Sequence, residues 1–255
     1  MLNLLKYELK KNKAVLITLA FLVFGLEGYY LVSFAMDKLE HMGIASSFLA
    51  LVSIISFVIV FILGITNYQR ELCSKTSYMV FMTPNSSLKI IGSKLCYVLL
   101  LGIATAIVLG GLAVLDLGLL GTLVDEQYHI FDLIKMLAEQ LGINLSMMMG
   151  YSIIRLIYFI LSVLSVVTVA YLAITLSATL LYNSRFRGII SVVFFILLMM
   201  AVTYINNHII ADDLVVEMEL YDIFINSIPG IVYNAAVMIG CMFGCSFLID
   251  RQISL

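Results

Sequence analysis

The sequence predicts an all-α integral membrane protein with six transmembrane helices, and three observations support this. Of the 255 residues, 63% are hydrophobic and only 12% are charged, whereas soluble domains hold about 45–50% apolar and about 25% charged residues. The chain contains six apolar runs close to the roughly 20 residues that a helix needs to cross a hydrocarbon core ~30 Å thick. Lysine and arginine residues concentrate in alternate segments between these runs.

The six runs are read as helices because they lack the apolar and polar alternation of barrel strands and are about twice as long. We expect the first run to be retained as a span, since it is longer than a signal-peptide core and Glu27 interrupts it. In chain order the predicted spans are Ala14–Met36, Phe48–Asn67, Leu95–Leu115, Leu156–Tyr182, Ile189–Asn206 and Pro229–Ile249.

The distribution of charge predicts the orientation of the spans. If the amino terminus is inside, all 14 Lys and Arg residues except Lys38, Lys135 and Arg155 lie in inner segments. Placement of Lys and Arg on the cytoplasmic side is the rule that orients helical membrane proteins. We therefore expect a multi-pass protein of the cell (plasma) membrane with both termini cytoplasmic.

Four segments outside the spans have patterns of their own. Residues 1–13 place leucines and lysines on separate stripes, which predicts an amphipathic interfacial helix that contacts membrane lipid. Residues 68–94 form a long polar inner loop. Residues 125–146 are amphipathic and are predicted to lie on the outer membrane surface, and residues 207–228 form a semi-buried outer segment before the sixth span.

The sequence lacks the motifs of the common catalytic and cofactor sites. It has no phosphate loop, no GxGxxG, no HExxH and no CxxC, and His41, His129 and His208 are far apart. Few ionisable residues lie within the spans, whereas an intramembrane active site would need them. We expect no catalysis, no cofactor and no metal in this chain, and no nucleic-acid partner.

Glu27 is the most deeply placed charge of the predicted spans. A charge at this depth costs roughly 2.5–3.5 kcal/mol on insertion scales, so its side chain should face protein or water. Asp116 and Arg155 lie near the same membrane side and are its possible neighbours. Two interpretations stay open: a Glu27–Arg155 ion pair that joins two helices, or a polar patch in the path of a substrate.

The loop after the second span, with the sequence RELCSKTSYMVFMTPNSSLKIIGSKL, resembles the inner loop of ATP-binding cassette (ABC) type 2 exporter permeases. In that family a short helix with a glutamate is followed by a "TP" turn and a basic entry into the third span. The matching positions here are Glu71, Tyr78, Phe81, Thr83, Pro84, Lys89 and Lys94. The six spans and the amphipathic start agree with the family in outline.

The resemblance implies that the loop forms a coupling helix, which docks in a cleft of a separate cytoplasmic ABC ATPase. That partner would bind ATP-Mg and hydrolyse it, and a second permease copy or a paralogue would complete the transporter. Apolar anchors and basic residues suit such a groove. The candidate coupling residues are Arg70, Glu71, Lys75, Tyr78, Met79, Phe81 and Pro84.

The function expected from this resemblance is outward movement of an amphipathic or apolar substrate, such as a peptide or a lipid-like molecule. Two alternatives remain. Three spans followed by three inverted spans also suit an ion-gradient-driven secondary transporter, although that class needs ionisable groups near the midplane. The chain could also be a membrane immunity or anchor protein that transports nothing.

Overall fold

The computed structural model describes residues 2–36, 38–73, 86–123, 145–180, 187–209 and 220–253. Within these ranges the chain is almost entirely α-helical and contains no strand. Six of its helices are long and apolar enough to cross a membrane. The predicted all-α class and the six spans are therefore confirmed by length and composition.

The helices are numbered here in chain order. They are α1 (Leu2–Lys11), α2 (Lys13–Ala35), α3 (Leu39–Cys73), α4 (Ser87–Leu123), α5 (Leu145–Leu180), α6 (Arg187–Ile209) and α7 (Leu220–Ile253).

Several helices extend well beyond the apolar runs that predicted them. Helices α3 and α4 contain 35 and 37 residues, which is roughly 52 and 55 Å at about 1.5 Å per residue, against a hydrocarbon core of ~30 Å. Of the predicted loop 68–94, residues 68–73 and 87–94 are helical, and residues 74–85 lie outside the described ranges. The predicted surface segment 125–146 lies outside them except at its last two residues.

Two predicted helix starts were wrong. Helix α3 begins at Leu39 rather than near Phe48, so most of the segment between the first two predicted spans is helical. Helix α7 begins at Leu220 rather than at Pro229, the predicted start of the sixth span, so Pro229 lies inside the helix. Proline lacks a backbone N–H, so this position removes one intrahelical hydrogen bond. Hydropathy finds where a chain enters the membrane, and helices continue past that point.

The chain forms two compact units. Unit 1 consists of Met1–Leu63 and Cys96–Gln140, and unit 2 consists of Gly64–Leu95 and Leu141–Leu255. Helices α3 and α4 therefore each supply residues to both units.

Unit 1 has a small core in which α2, α3 and α4 meet. Tyr30, Met42 and Ala45 are almost fully buried, and Phe34, Leu49 and Leu119 pack against them. At the junction of α1 and α2, Asn12 Nδ2 donates a 2.8 Å hydrogen bond to the Tyr97 hydroxyl on α4. Glu8 and Asn12 are buried whereas Leu9 is exposed, so α1 turns a polar face toward the protein.

Unit 2 is built around α5, which packs against α6 and α7. Half of the α5 span is buried, compared with 17% or less for every other described span. Polar contacts join α5 to α7, because Ser165 Oγ and Asn234 Oδ1 lie 3.2 Å apart. The Tyr233 hydroxyl of α7 donates a 2.6 Å hydrogen bond to the Val202 carbonyl of α6. Such contacts join helices in lipid, where no hydrophobic force drives association.

Two glycines of α7 test this packing as a matched pair. A Cβ at Gly244 would lie 3.2 Å from Cδ1 of Leu172 on α5, whereas a Cβ at Gly240 would meet nothing within 4 Å. We expect Gly244→Val to lower the stability of the detergent-purified protein by roughly 1–3 kcal/mol through overpacking. Gly240→Val should cause no such loss, because the added side chain meets nothing and valine has a higher helix propensity than glycine. Thermal unfolding of both variants checks this, and equal losses would contradict the α5–α7 contact.

Candidate functional site

Five helix ends of unit 2 lie close to one another near the end of α3 and the start of α4. They are the carboxyl ends of α3, α5 and α7 and the amino ends of α4 and α6. The contacts that bring them together involve Tyr68, Gln69, Glu71, Ser87, Lys94, Thr175, Gly188 and Asp250. We call these residues the loop-base cluster, because they surround the two helices that enter and leave residues 74–85.

A buried ion pair joins the two helices that flank the connection. Lys94 Nζ of α4 lies 2.5 Å from Glu71 Oε2 of α3, and the two side chains are only 6% and 16% exposed. Glu71 lies in the last turn of α3, where a negative charge opposes the helix dipole. Lys94 therefore compensates the charge of Glu71, and removal of either residue would take away the ion pair of a largely buried charge.

A second contact fixes the start of α4. The Ser86 carbonyl accepts hydrogen bonds from the backbone N–H groups of Lys89 (2.8 Å) and Ile90 (3.3 Å), which is the pattern of an N-cap residue. The Ser87 hydroxyl donates to the Asp250 carboxylate of α7. Ser246, one turn earlier on α7, donates to the other Asp250 oxygen at 3.3 Å. A carboxylate beside a helix amino end is also favoured by the helix dipole.

A buried aromatic and hydroxyl network joins α3 to α5. The Thr175 hydroxyl donates its hydrogen to the Tyr171 carbonyl at 2.7 Å. In the 2.6 Å contact between the Tyr68 and Thr175 hydroxyls, Tyr68 is therefore the donor. The Tyr68 and Tyr171 rings stack with centroids 4.3 Å apart. The Tyr171 hydroxyl donates to the Gly64 carbonyl at 3.4 Å, and Cys245 of α7 lies beside the Tyr68 hydroxyl. These contacts fix the rotation of α3 just before the connection.

At the fifth helix end, Gly188 in the first turn of α6 faces Gln69 of α3. A Cβ at Gly188 would lie 3.7 Å from Gln69 Nε2, which is ordinary van der Waals contact. The amino end of α6 therefore packs directly against the last turns of α3. With the Glu71–Lys94 ion pair to α4 and the network to α5, the end of α3 contacts three other helices.

The candidate coupling residues divide into three groups. Arg70 is exposed on the last turns of α3. Glu71 points toward Lys94 instead of outward. The remaining candidates lie outside the described residues: Lys75, Tyr78, Met79, Phe81 and Pro84.

The candidate intramembrane residues fall in different units. Glu27 of α2 and Asp116 of α4 both belong to unit 1, and their carboxyl groups interact directly. Arg155 lies on an exposed face of α5 in unit 2. The structure thus brings Glu27 and Asp116 together, and the Glu27–Arg155 ion pair stays a prediction.

The described residues contain no group of three His, Cys, Asp or Glu side chains that could hold a metal ion. Comparisons with protein-family models, curated proteins and solved structures give no match to this chain. The function is therefore argued from the sequence and the geometry of its sites.

Sequence reasoning missed Tyr68, Thr175 and Asp250. Thr175 belongs to a buried stripe of hydroxyl residues on α5 that also includes Ser165 and Thr168. Their spacing of three and seven residues places them on one helix face, and this signal was available in the sequence. No signal in the sequence predicted the contact between Asp250 and Ser87, because these two residues are far apart in the chain.

Breaking the Lys94–Glu71 pair should destabilise the protein strongly. We expect Lys94→Met to lose about 3–5 kcal/mol of unfolding free energy, because it leaves the Glu71 carboxylate buried without its partner. The double variant Glu71→Met/Lys94→Met should lose less than the sum of the two single losses. Denaturation in detergent measures all three. Arg70→Met, one residue away and exposed, is the control and should change stability by no more than about 0.5 kcal/mol.

Removing the Asp250 contact should loosen the start of α4 locally. We expect Asp250→Asn and Ser87→Ala to increase hydrogen exchange at the amides of residues 89 and 90, with little change in global stability. Ser246→Ala removes only the contact within α7 and should leave exchange at these amides unchanged. Exchange measured by mass spectrometry checks this, and equal protection in all variants would show that Asp250 does not hold α4.

Proposed function

We propose that this chain is the transmembrane permease subunit of an ATP-driven exporter of the ABC type 2 class. The observation that carries the proposal is the buried Lys94–Glu71 pair at the base of the connection 74–85. A loop that receives mechanical work from a partner needs a rigid base. Glu71 and Lys94 are both among the residues that match the family's inner loop, and their ion pair joins α3 to α4.

In this proposal residues 74–85 form the docking element for a cytoplasmic ABC ATPase, which binds ATP-Mg and hydrolyses it. Closure of the ATPase would displace α3 and α4 as one pair, because the ion pair joins their ends. Each of these helices continues from unit 2 into unit 1. A displacement at the docking element would therefore reach both units along continuous helices.

The docking surface would combine charge and apolar anchors. Arg70 is exposed beside the connection and, with Lys75, suits acidic groups on the ATPase. Tyr78, Met79 and Phe81 are the anchors that the sequence predicts for a groove. Glu71 has another role in this arrangement, since it positions the docking element by pairing with Lys94 and does not touch the partner.

The proposal includes an assembly and an orientation. A second permease copy or a paralogue would complete the pathway, and both termini would be cytoplasmic in the plasma membrane, as the distribution of Lys and Arg predicts. The cargo would be amphipathic or apolar, such as a peptide or a lipid-like molecule. Two of the most exposed side chains of the spans are Phe21 and Ile107, which suits contact with lipid and with such cargo.

One observation favours a second candidate function. The Glu27–Asp116 pair places two ionisable groups together within the spans, which is the feature that an ion-gradient-driven secondary transporter requires. In that case transport would need an ion gradient and no ATPase.

Co-purification and transport assays test the leading proposal. We expect the chain, purified from its source membranes, to retain a cytoplasmic ATPase and to move substrate in sealed vesicles only when ATP is present. Arg70→Glu should weaken retention of the ATPase by reversing a charge on the docking surface. Phe81→Ala should abolish ATP-dependent transport by removing an anchor.

Lys38→Glu is the matched control, because Lys38 is also exposed but lies on the predicted outer side. It should leave ATPase retention and transport unchanged. Transport driven by an ion gradient alone would replace the proposal with the second candidate. A chain that retains no ATPase and moves no substrate would favour an immunity or anchor protein.

A further inference from the structure

Glu27 and Asp116 form an isolated polar site inside unit 1. Val23, Glu27 and Tyr30 follow one another on the buried face of α2, and the Tyr30 hydroxyl donates a 3.3 Å hydrogen bond to the Asp116 carbonyl of α4. Since Glu27 lies three residues before Tyr30, its carboxyl group faces the same part of α4. The two carboxyl groups interact directly there.

Each carboxyl group has a buried oxygen that accepts no hydrogen bond from any described residue. Glu27 is only 6% exposed, and Glu27 Oε2 and Asp116 Oδ1 are buried without a hydrogen-bond partner among the described residues. Neither carboxylate forms an ion pair within the described part of the chain. A buried charged oxygen without a partner is costly, and two adjacent carboxylates also repel each other.

The groups around Glu27 and Asp116 determine whether a metal cation or a proton fits between the two carboxyl groups. From α2, the Tyr30 hydroxyl already donates to a carbonyl. From α3, the core residues that pack with Tyr30 are Met42 and Ala45, and His41 is exposed and bonded to the Tyr29 hydroxyl at 3.0 Å. The site thus offers two carboxyl groups in apolar surroundings, whereas a hydrated metal cation would need more oxygen ligands.

We propose that Glu27 and Asp116 bind one proton, shared between their facing oxygens. The proton comes from water and leaves to water, and no other bond forms or breaks. Two carboxyl groups in a shared site commonly hold one proton in this way, because both cannot ionise side by side. With the proton bound, the pair joins α2 to α4; without it, two negative charges push these helices apart. This inference does not depend on how transport is energised.

The test uses the full chain in lipid nanodiscs without any ATPase. We expect the infrared spectrum at neutral pH to contain the carbonyl stretch of a protonated carboxyl, and the double variant Glu27→Gln/Asp116→Asn to lose that band. The amide pair can hydrogen bond across the same site, so this variant should fold. Glu40→Gln, which removes an exposed carboxyl at the start of α3, is the control and should keep the band.

A second measurement uses stability. Wild-type thermal stability should fall as the pH rises and the shared proton leaves, because the folded protein then holds two facing negative charges. The double variant should lack this dependence. A wild-type spectrum without a band that the double variant removes would overturn the proposal. Loss of the band on addition of sodium at constant pH would also overturn it, since the site would then prefer a metal cation.

Discussion

The rest of the structure depends on one constraint, which is that a polar side chain inside an apolar bundle must find its partner within the protein. Water is absent from the hydrocarbon core, so an unpaired polar group there has no alternative. Many hydroxyls of the described helices meet the constraint within their own helix, by bonding a carbonyl three or four residues earlier. A smaller set of polar contacts joins helices that are distant in sequence. Each such contact fixes the rotation of one helix against another. The contacts of this kind are Asn12–Tyr97, Glu71–Lys94, Tyr68–Thr175 and Ser165–Asn234.

This constraint also explains how much of the fold could be predicted from the sequence. The number of spans follows from hydropathy, because a run of about 20 apolar residues has few other places to go. The ends of the helices do not follow from it. Residues Glu40 and His41 look like a loop by composition, yet they continue α3, since a helix that leaves the membrane keeps its backbone hydrogen bonds. Pro229 marked the predicted start of the sixth span, but the helix begins earlier, at Leu220.

The candidate site was predictable only in part, and the limit was the rotation of each helix. Glu71 and Lys94 stood out in the loop sequence, but their pairing requires α3 and α4 to face each other at these turns. Glu27 had two possible neighbours by depth alone, and spacing along the chain cannot choose between Asp116 and Arg155.

Helix α4 connects the two sites that carry the functional proposals. It holds Lys94 near its start and Asp116 near its end, so one continuous helix supplies a residue to the Glu71–Lys94 ion pair and a residue to the carboxyl pair.

Three glycines of α4 lie between Lys94 and Asp116. They are Gly102, Gly110 and Gly111, where an added Cβ would meet nothing within 4 Å. Close packing therefore does not require these glycines. Glycine costs about 1 kcal/mol in a helix relative to alanine, and its main mechanical effect is to make the helix easier to bend. A helix that makes contacts at Lys94 and Asp116 and is easier to bend between them can change its curvature without breaking either contact.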